Sequence, residues 1–269
     1  MIAVVDYQKG NLKSVERGLI AAGGEALITA DASEIAKADA IVLPGVGAFA
    51  DAAATMCELG QMEVIRERVR AGVPFLGICL GEHLMFEHGV EGAPEGNPAC
   101  GLGLLPGTVV AMPRCDAQGK TFKVPHVGWN TIEISACSGG AAVPPCGEGG
   151  GNAVLSSGGA GGGAARRSAA KRGLFEHGAF PDSTPQPGSD LAFACPLFDG
   201  IAPGEYFYFT HSFIAPTGSH TIAETTHSVR FTSAVQFGER AFGVQFHPEK
   251  SSDAGARVLA NFVAIAARG

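Results

Sequence analysis

Residues 74–82 read PFLGICLGE, an apolar run that stops at a cysteine between two glycines and then meets a charge. A short apolar run closed by glycine reads as a buried strand. The Gly-x-Cys-x-Gly that ends it has the form of a nucleophile elbow, a sharp strand-to-helix turn in which glycines leave room around one presented side chain. Working toward the N-terminus, strands and helices alternate: IAVVD (2–6), a helix predicted from about Asn11 to Ala22, AIVLPG (40–45), helical segments around 48–71, and then 74–80. This alternation predicts an α/β fold with a central, mostly parallel sheet flanked by helices. Ligands gather at the carboxyl ends of strands in such sheets. Both LPGVGAF (43–49) and LGICLGE (76–82) run into glycine-containing turns, so both are expected at that edge.

Toward the C-terminus the composition changes to Gly, Ala, Ser and Pro from about 135 to 195. Such a stretch buries too little apolar surface to offset its backbone entropy, and it is read as a flexible insertion in a single domain. Beyond it, YFYFTHSF (206–213), HTIAETTH (220–227), TSAVQFG (232–238) and AFGVQFHPEKSS (241–252) predict a mixed, strand-rich part. A last amphipathic helix, about Ala254 to Arg268, places Val258, Leu259, Phe262 and Val263 on one face.

The chain has 269 residues, 46% of them hydrophobic, enough for a sizeable core. Its net charge of −7 argues against a nucleic-acid groove or an anionic membrane surface as partner. The first residues carry neither a basic segment nor a long apolar run, and a cytoplasmic location is expected. Seven cysteines without paired CxxC spacing fit neither a disulfide framework nor a zinc ribbon. No metal and no cofactor are expected, because the five-residue spacing of His83 and His88 suits no helical ligand pair.

Three segments carry chemistry. A helix N-terminus behind Cys79, together with a nearby imidazole, favours the thiolate. In QFHPEKS (245–251), His247 and Glu249 lie two apart on a strand-like stretch and are expected on the same side, where the carboxylate fixes the imidazole tautomer. The turn PGVG (44–47) offers backbone amides to an oxyanion. Nucleophile, oriented base and oxyanion turn are what acyl transfer through a thioester requires.

GICLGE, PGVGAF and FGVQFHPEKSS resemble the signatures of class I (triad) glutamine amidotransferases. DYQKGNLKSV (6–15), VPHVGWN (124–130) and YFYFTHSF further resemble the glutaminase subunits of imidazole glycerol phosphate synthases, over residues 1–134 and 196–269. The resemblance implies hydrolysis of L-glutamine to glutamate and ammonia by Cys79, His247 and Glu249. It also implies an oxyanion hole at Val46, Gly47 and Leu80, with glutamine held near Gly47, His83, Glu91, Ser212 and Phe213. The implied partner is a (β/α)8-barrel cyclase in a heterodimer, which makes imidazole glycerol phosphate and an aminoimidazole carboxamide ribotide in histidine biosynthesis. Asn11, Lys13, His126, Trp129 and Asn130 match subunit-facing motifs, although Trp129, the only tryptophan, also reads as a core aromatic.

The chain departs from the family in three places. Glu82 and His83 replace a usual Met-Gln, and Glu82 is expected to face solvent; DYQKGN (6–11) lacks the first glycine common in this turn, and His227 and Ser228 stand where Tyr and Gly are common. Two alternatives stay open: an amidotransferase feeding another acceptor, and a catalytically silent regulatory subunit.

Overall fold

The computed structural model describes residues 1–134 and 195–268, so the expected insertion lies outside the described residues. The N-terminal half alternates as expected: β1 (Ile2–Val5), α1 (Leu12–Ala21), β2 (Ala26–Thr29), α2 (Ala32–Lys37), β3 (Ala40–Gly45), α3 (Phe49–Glu58), α4 (Gln61–Arg70), β4 (Phe75–Cys79) and α5 (Leu80–His83). Five short strands follow: β5 (Phe86–Gly89), β6 (Ala99–Cys100), β7 (Leu105–Ala111), β8 (His126–Thr131) and β9 (Glu133–Ile134). The chain then gives β10 (Tyr206–His211), β11 (Phe213–Ile214), β12 (Thr221–Thr226), β13 (Arg230–Phe237), β14 (Ala241–Val244) and α6 (Ser252–Ala266).

Among the described residues, eight strands form one sheet in the order β2-β1-β3-β4-β14-β13-β12-β9. Pairing is parallel from β2 through β14 and antiparallel from β14 through β9, which is the mixed sheet the sequence predicts. Because successive side chains on a strand point to opposite faces, each strand of the parallel part feeds two cores. Ile2, Val4, Val42, Leu76 and Ile78 pack with Val15 and Leu19 of α1 and with Val258, Leu259 and Phe262 of α6. Ala3, Val5, Ile41, Leu43 and Phe75 pack with Ile35 of α2, Phe49 and Met56 of α3 and Ile65 of α4. Burying each such Ile, Leu or Phe contributes about 1.5–3 kcal/mol. In α6, Ile265 completes the buried stripe while Val263 is only partly buried.

Two smaller sheets stand beside the main one, β11-β7-β5-β6 and the pair β10-β8. The second carries His126 opposite His211 and Trp129 opposite Tyr208. Gln8 sits at φ +67, the region a glycine enters freely, and its N–H donates to Asp6 Oδ1 at 2.7 Å. That Asx-type bond helps a residue with a side chain hold the turn.

Candidate active site

The elbow forms because β4 turns into α5 with almost no space between them. A Cβ on Gly77 would approach Glu82 N to 2.8 Å, and one on Gly81 would run into the Leu43 carbonyl of β3. Only glycine fits either position. The turn leaves Cys79 at φ +54 and ψ −106, a strained conformation for a residue with a side chain. In the sheet, β4 lies between β3 and β14, with Gly45 opposite Cys79 and Val244 opposite Ile78. The residues that follow Gly45 and Val244 therefore emerge beside the cysteine.

Past β14 the chain does not continue as a strand. Pro248 opens a 3-10 turn over Pro248–Lys250, because its ring fixes φ and it has no N–H for a ladder. The turn, rather than strand alternation, brings Glu249 back to His247. Their contact is Nδ1 to Oε1 at 2.9 Å, with both side chains almost wholly buried. His247 is held further by its N–H to Tyr208 O at 2.9 Å and by Ser251 Oγ, which donates to His247 O at 2.6 Å. Burial lowers the affinity of His247 for its proton, but Cys79 and Glu249 outweigh it and push the pKa up to about 9. Among the described residues its Nε2 has no hydrogen-bond partner. An imidazole with one nitrogen pinned and the other free beside a thiol is arranged to take the thiol proton.

Around Cys79 opens a cavity of about 410 Å³, lined by Val46, Gly47, Leu80, His83, Glu91, Ser212 and Phe213 among others. Every residue the sequence suggested for the oxyanion hole and for glutamine lines this one cavity. Gly47 stands at φ +103 in the turn after β3. The Glu91 carboxyl is pushed up by burial and then by Asp51. His83 is 3% exposed, and burial holds its pKa down to about 4 despite a 2.6 Å hydrogen bond from Nε2 to Gln245 Oε1. Gln245 had no role in the sequence reading, and its own Nε2 lies 3.6 Å from Cys79 Sγ.

Glu82 corrects the expectation that it faces solvent. It is 0% exposed, with Cγ near the backbone of Gly243 in β14, and neither carboxyl oxygen has a partner among the described residues. Burial raises its pKa well above the carboxylate range. It sits there because α5 is a single turn laid on the sheet, so every one of its residues is buried. An unpaired buried acid costs about 1–3 kcal/mol. Glu82→Met is therefore expected to raise the melting temperature by about 5 °C in a scanning calorimeter. A lower melting temperature would mean that the carboxyl has a partner.

On β8, alternation turns Val127 (56% exposed) and Trp129 (49% exposed) outward and His126 (5%) inward. The expectation that His126 faces a partner is corrected accordingly, and the reading of Trp129 as a core aromatic fails. His126 Nδ1 meets His211 Nε2 at 3.0 Å, and its ring stacks on His227 at 4.3 Å. Asn130 Nδ2 reaches Thr226 O at 2.9 Å, Asn11 caps α1 without a side-chain bond, and Lys13 pairs with Glu16 at 2.9 Å. Among the described residues, Cys57, Cys100 and Cys115 are exposed free thiols, and burial pushes the Cys195 thiol up to about 11. No helix among them is long and apolar enough to cross a membrane.

Comparison with known proteins adds an independent line. A family model described as glutamine amidotransferase class-I matches residues 3–143 and 177–266. The imidazole glycerol phosphate synthase subunit HisH of Moorella thermoacetica is 36% identical over 97% of this chain and 93% of its own. The HisH subunit of Rhodopirellula baltica is 35% identical over 97% and 96%. Among solved structures, a glutamine amidotransferase superposes with a TM-score of 0.57 at 16% identity, covering 99% of this chain and 98% of that one. PurLQS from Thermotoga maritima gives a TM-score of 0.56 at 15% identity over 98% and 97%. These two structures share the fold.

Proposed function

Since the chain belongs to the class I glutamine amidotransferase family, and near full-length relatives are HisH subunits of imidazole glycerol phosphate synthase, we infer that it is the glutaminase of such a synthase. It hydrolyses L-glutamine to glutamate and ammonia. Cys79 is the nucleophile: its proton passes to His247 Nε2, and the sulfur attacks the carboxamide carbon. The developing oxyanion is received by backbone N–H groups at Val46, Gly47 and Leu80, the last of which begins α5 and so has no helical partner. His247 returns the proton to the departing ammonia, leaving a thioester. It then takes a proton from the water that releases glutamate, while Glu249 keeps Nδ1 protonated throughout.

The observation that carries this reading is the free Nε2 of His247, with Nδ1 tied to Glu249, beside a cysteine at a strained turn. Gly47, His83, Glu91, Ser212 and Phe213 hold glutamine, with Glu91 as counter-charge to its ammonium. Ammonia released to water is protonated and lost as a nucleophile, so the subunit passes it to a (β/α)8-barrel cyclase. Trp129 and Val127, outward on β8, belong to the docking face, with Asn11, Lys13 and Asn130 at its margin. Residues 144–176, which the family model skips, are an addition to the single amidotransferase domain.

The test is to mix the protein with a purified cyclase subunit and follow glutamate release with and without the cyclase nucleotide. Release is expected to rise several-fold with nucleotide bound. No stimulation would favour an amidotransferase that serves another acceptor.

A further inference from the structure

Gln245 follows β14 with its backbone N–H donated to Ser233 O at 3.0 Å, so its main chain is fixed. It is 0% exposed, and a buried carboxamide must satisfy both of its ends. One end, Oε1, lies 2.6 Å from His83 Nε2, and the other, Nε2, lies 3.6 Å from Cys79 Sγ. The two ends are chemically opposite: an amide oxygen only accepts and an amide nitrogen only donates. Which end faces the sulfur therefore depends on His83.

We propose that Gln245 is a positioning residue for the nucleophile, donating Nε2–H to the Cys79 thiolate, and that His83 fixes the amide in that orientation by donating Nε2–H to its oxygen. The proposal rests on Cys79 being the nucleophile. A thiolate accepts hydrogen bonds and makes none, so it needs donors; His247 Nε2 becomes one once it has taken the thiol proton, and Gln245 is the second. His83 is buried and neutral, so it carries one proton, and with that proton on Nε2 it offers only a donor to the amide. Turning the amide over would set N–H against N–H at His83 and oxygen against negative sulfur at Cys79. Both contacts would repel. In this reading the His83 imidazole acts on catalysis through the amide as well as by lining the cavity. Among the described residues, Tyr7, His83 and His247, with Glu249 behind His247, border the sulfur, and Glu91 and His211 line the same cavity.

The experiment is alkylation of Cys79 by iodoacetamide as a function of pH, followed on the Cys79 peptide by mass spectrometry because the exposed cysteines react too. Gln245→Leu is expected to lower alkylation of Cys79 near neutral pH several-fold and to move its pH profile toward higher pH, because the thiolate loses a donor. Its kcat for glutamine should fall in proportion, with KM within about twofold of wild type. His83→Leu leaves the amide in place but frees it to turn, and should shift the titration in the same direction. His83→Gln, whose own amide can donate to Gln245 Oε1, should restore it. If Gln245→Leu is insoluble, the His83 pair carries the test alone. Unchanged titration of Cys79 in the leucine variants overturns the proposal and leaves the nucleophile in place. Full glutamine hydrolysis by Cys79→Ala would instead remove the reading beneath it.

Discussion

Cys79→Ala is expected to lower glutamine hydrolysis by roughly 10⁴-fold or more, because without the sulfur no thioester forms and the remaining groups act only on bound water. The fold should survive. Cys79 already holds φ +54 with a side chain attached, so alanine inherits that strain and adds none. In the complex with a cyclase, product formation from added ammonium salts should persist while formation from glutamine disappears. Measuring both separates the roles: equal loss of the two activities would make Cys79 structural.

A second large effect is acid lability. Burial lowers the pKa of His83 and of His126 to about 4 and that of His211 well below its ordinary value of 6.5. Each is neutral when folded and takes a proton more readily when unfolded. Their stabilising contribution is therefore full above pH 6.5 and is lost as pH falls through the interval down to about 4. For His83 alone the loss is about 3 kcal/mol. His126 and His211 add to it, since their 3.0 Å contact has room for one proton between the two nitrogens and a second sets N–H against N–H.

Three groups, Glu82, Glu91 and His247, run the other way. The raised pKa of Glu82 gives a contribution held below about 4.5 and lost as pH rises, so acidification recovers it. That of His247 is complete below 6.5 and lost as pH rises through about 9. His220, whose pKa burial also lowers, joins His83, His126 and His211, and the four histidines against the carboxyls of Glu82 and Glu91 leave a net loss in acid. The melting temperature should drop by about 10 °C or more between pH 6.5 and about 4. The decline should be steeper in Glu82→Met, which lacks one of the opposing groups. A flat melting temperature over this range would show that these histidines gain protons without unfolding.

The parallel part of the fold was legible because each of its strands is an unbroken apolar run with helical periodicity on either side. The elbow was legible because close packing admits only glycine at 77 and 81. The strands between Phe86 and Thr131 were not read as a set. They are short, and β8 finds its partner β10 only beyond the insertion, so their pairing is written in no local pattern. Glu82 was misjudged for a related reason: a helix of one turn has no periodicity from which to assign an outward face. His247 and Glu249 were paired correctly, but by strand alternation, whereas Pro248 makes the turn that joins them. Gln245 carried a signal that went unused. It is a polar side chain between Val244 and Phe246 at the end of a core strand, and such a residue has to find hydrogen-bond partners inside.

Nucleophile, oxyanion turn and base descend from β4, β3 and β14, three neighbours in one ladder. Adjacent strands lie about 4.8 Å apart whatever their sequence. The backbone thus acts as a lateral ruler, and the separations among the three catalytic parts are units of sheet geometry before any side chain is chosen. Stretching one of them means breaking main-chain hydrogen bonds on both sides of β4, which amounts to unfolding the domain. If the proposed cyclase controls this site, the parts free to respond are those that overhang the ruler: the Val46–Gly47 turn and the side chains of His83 and Gln245.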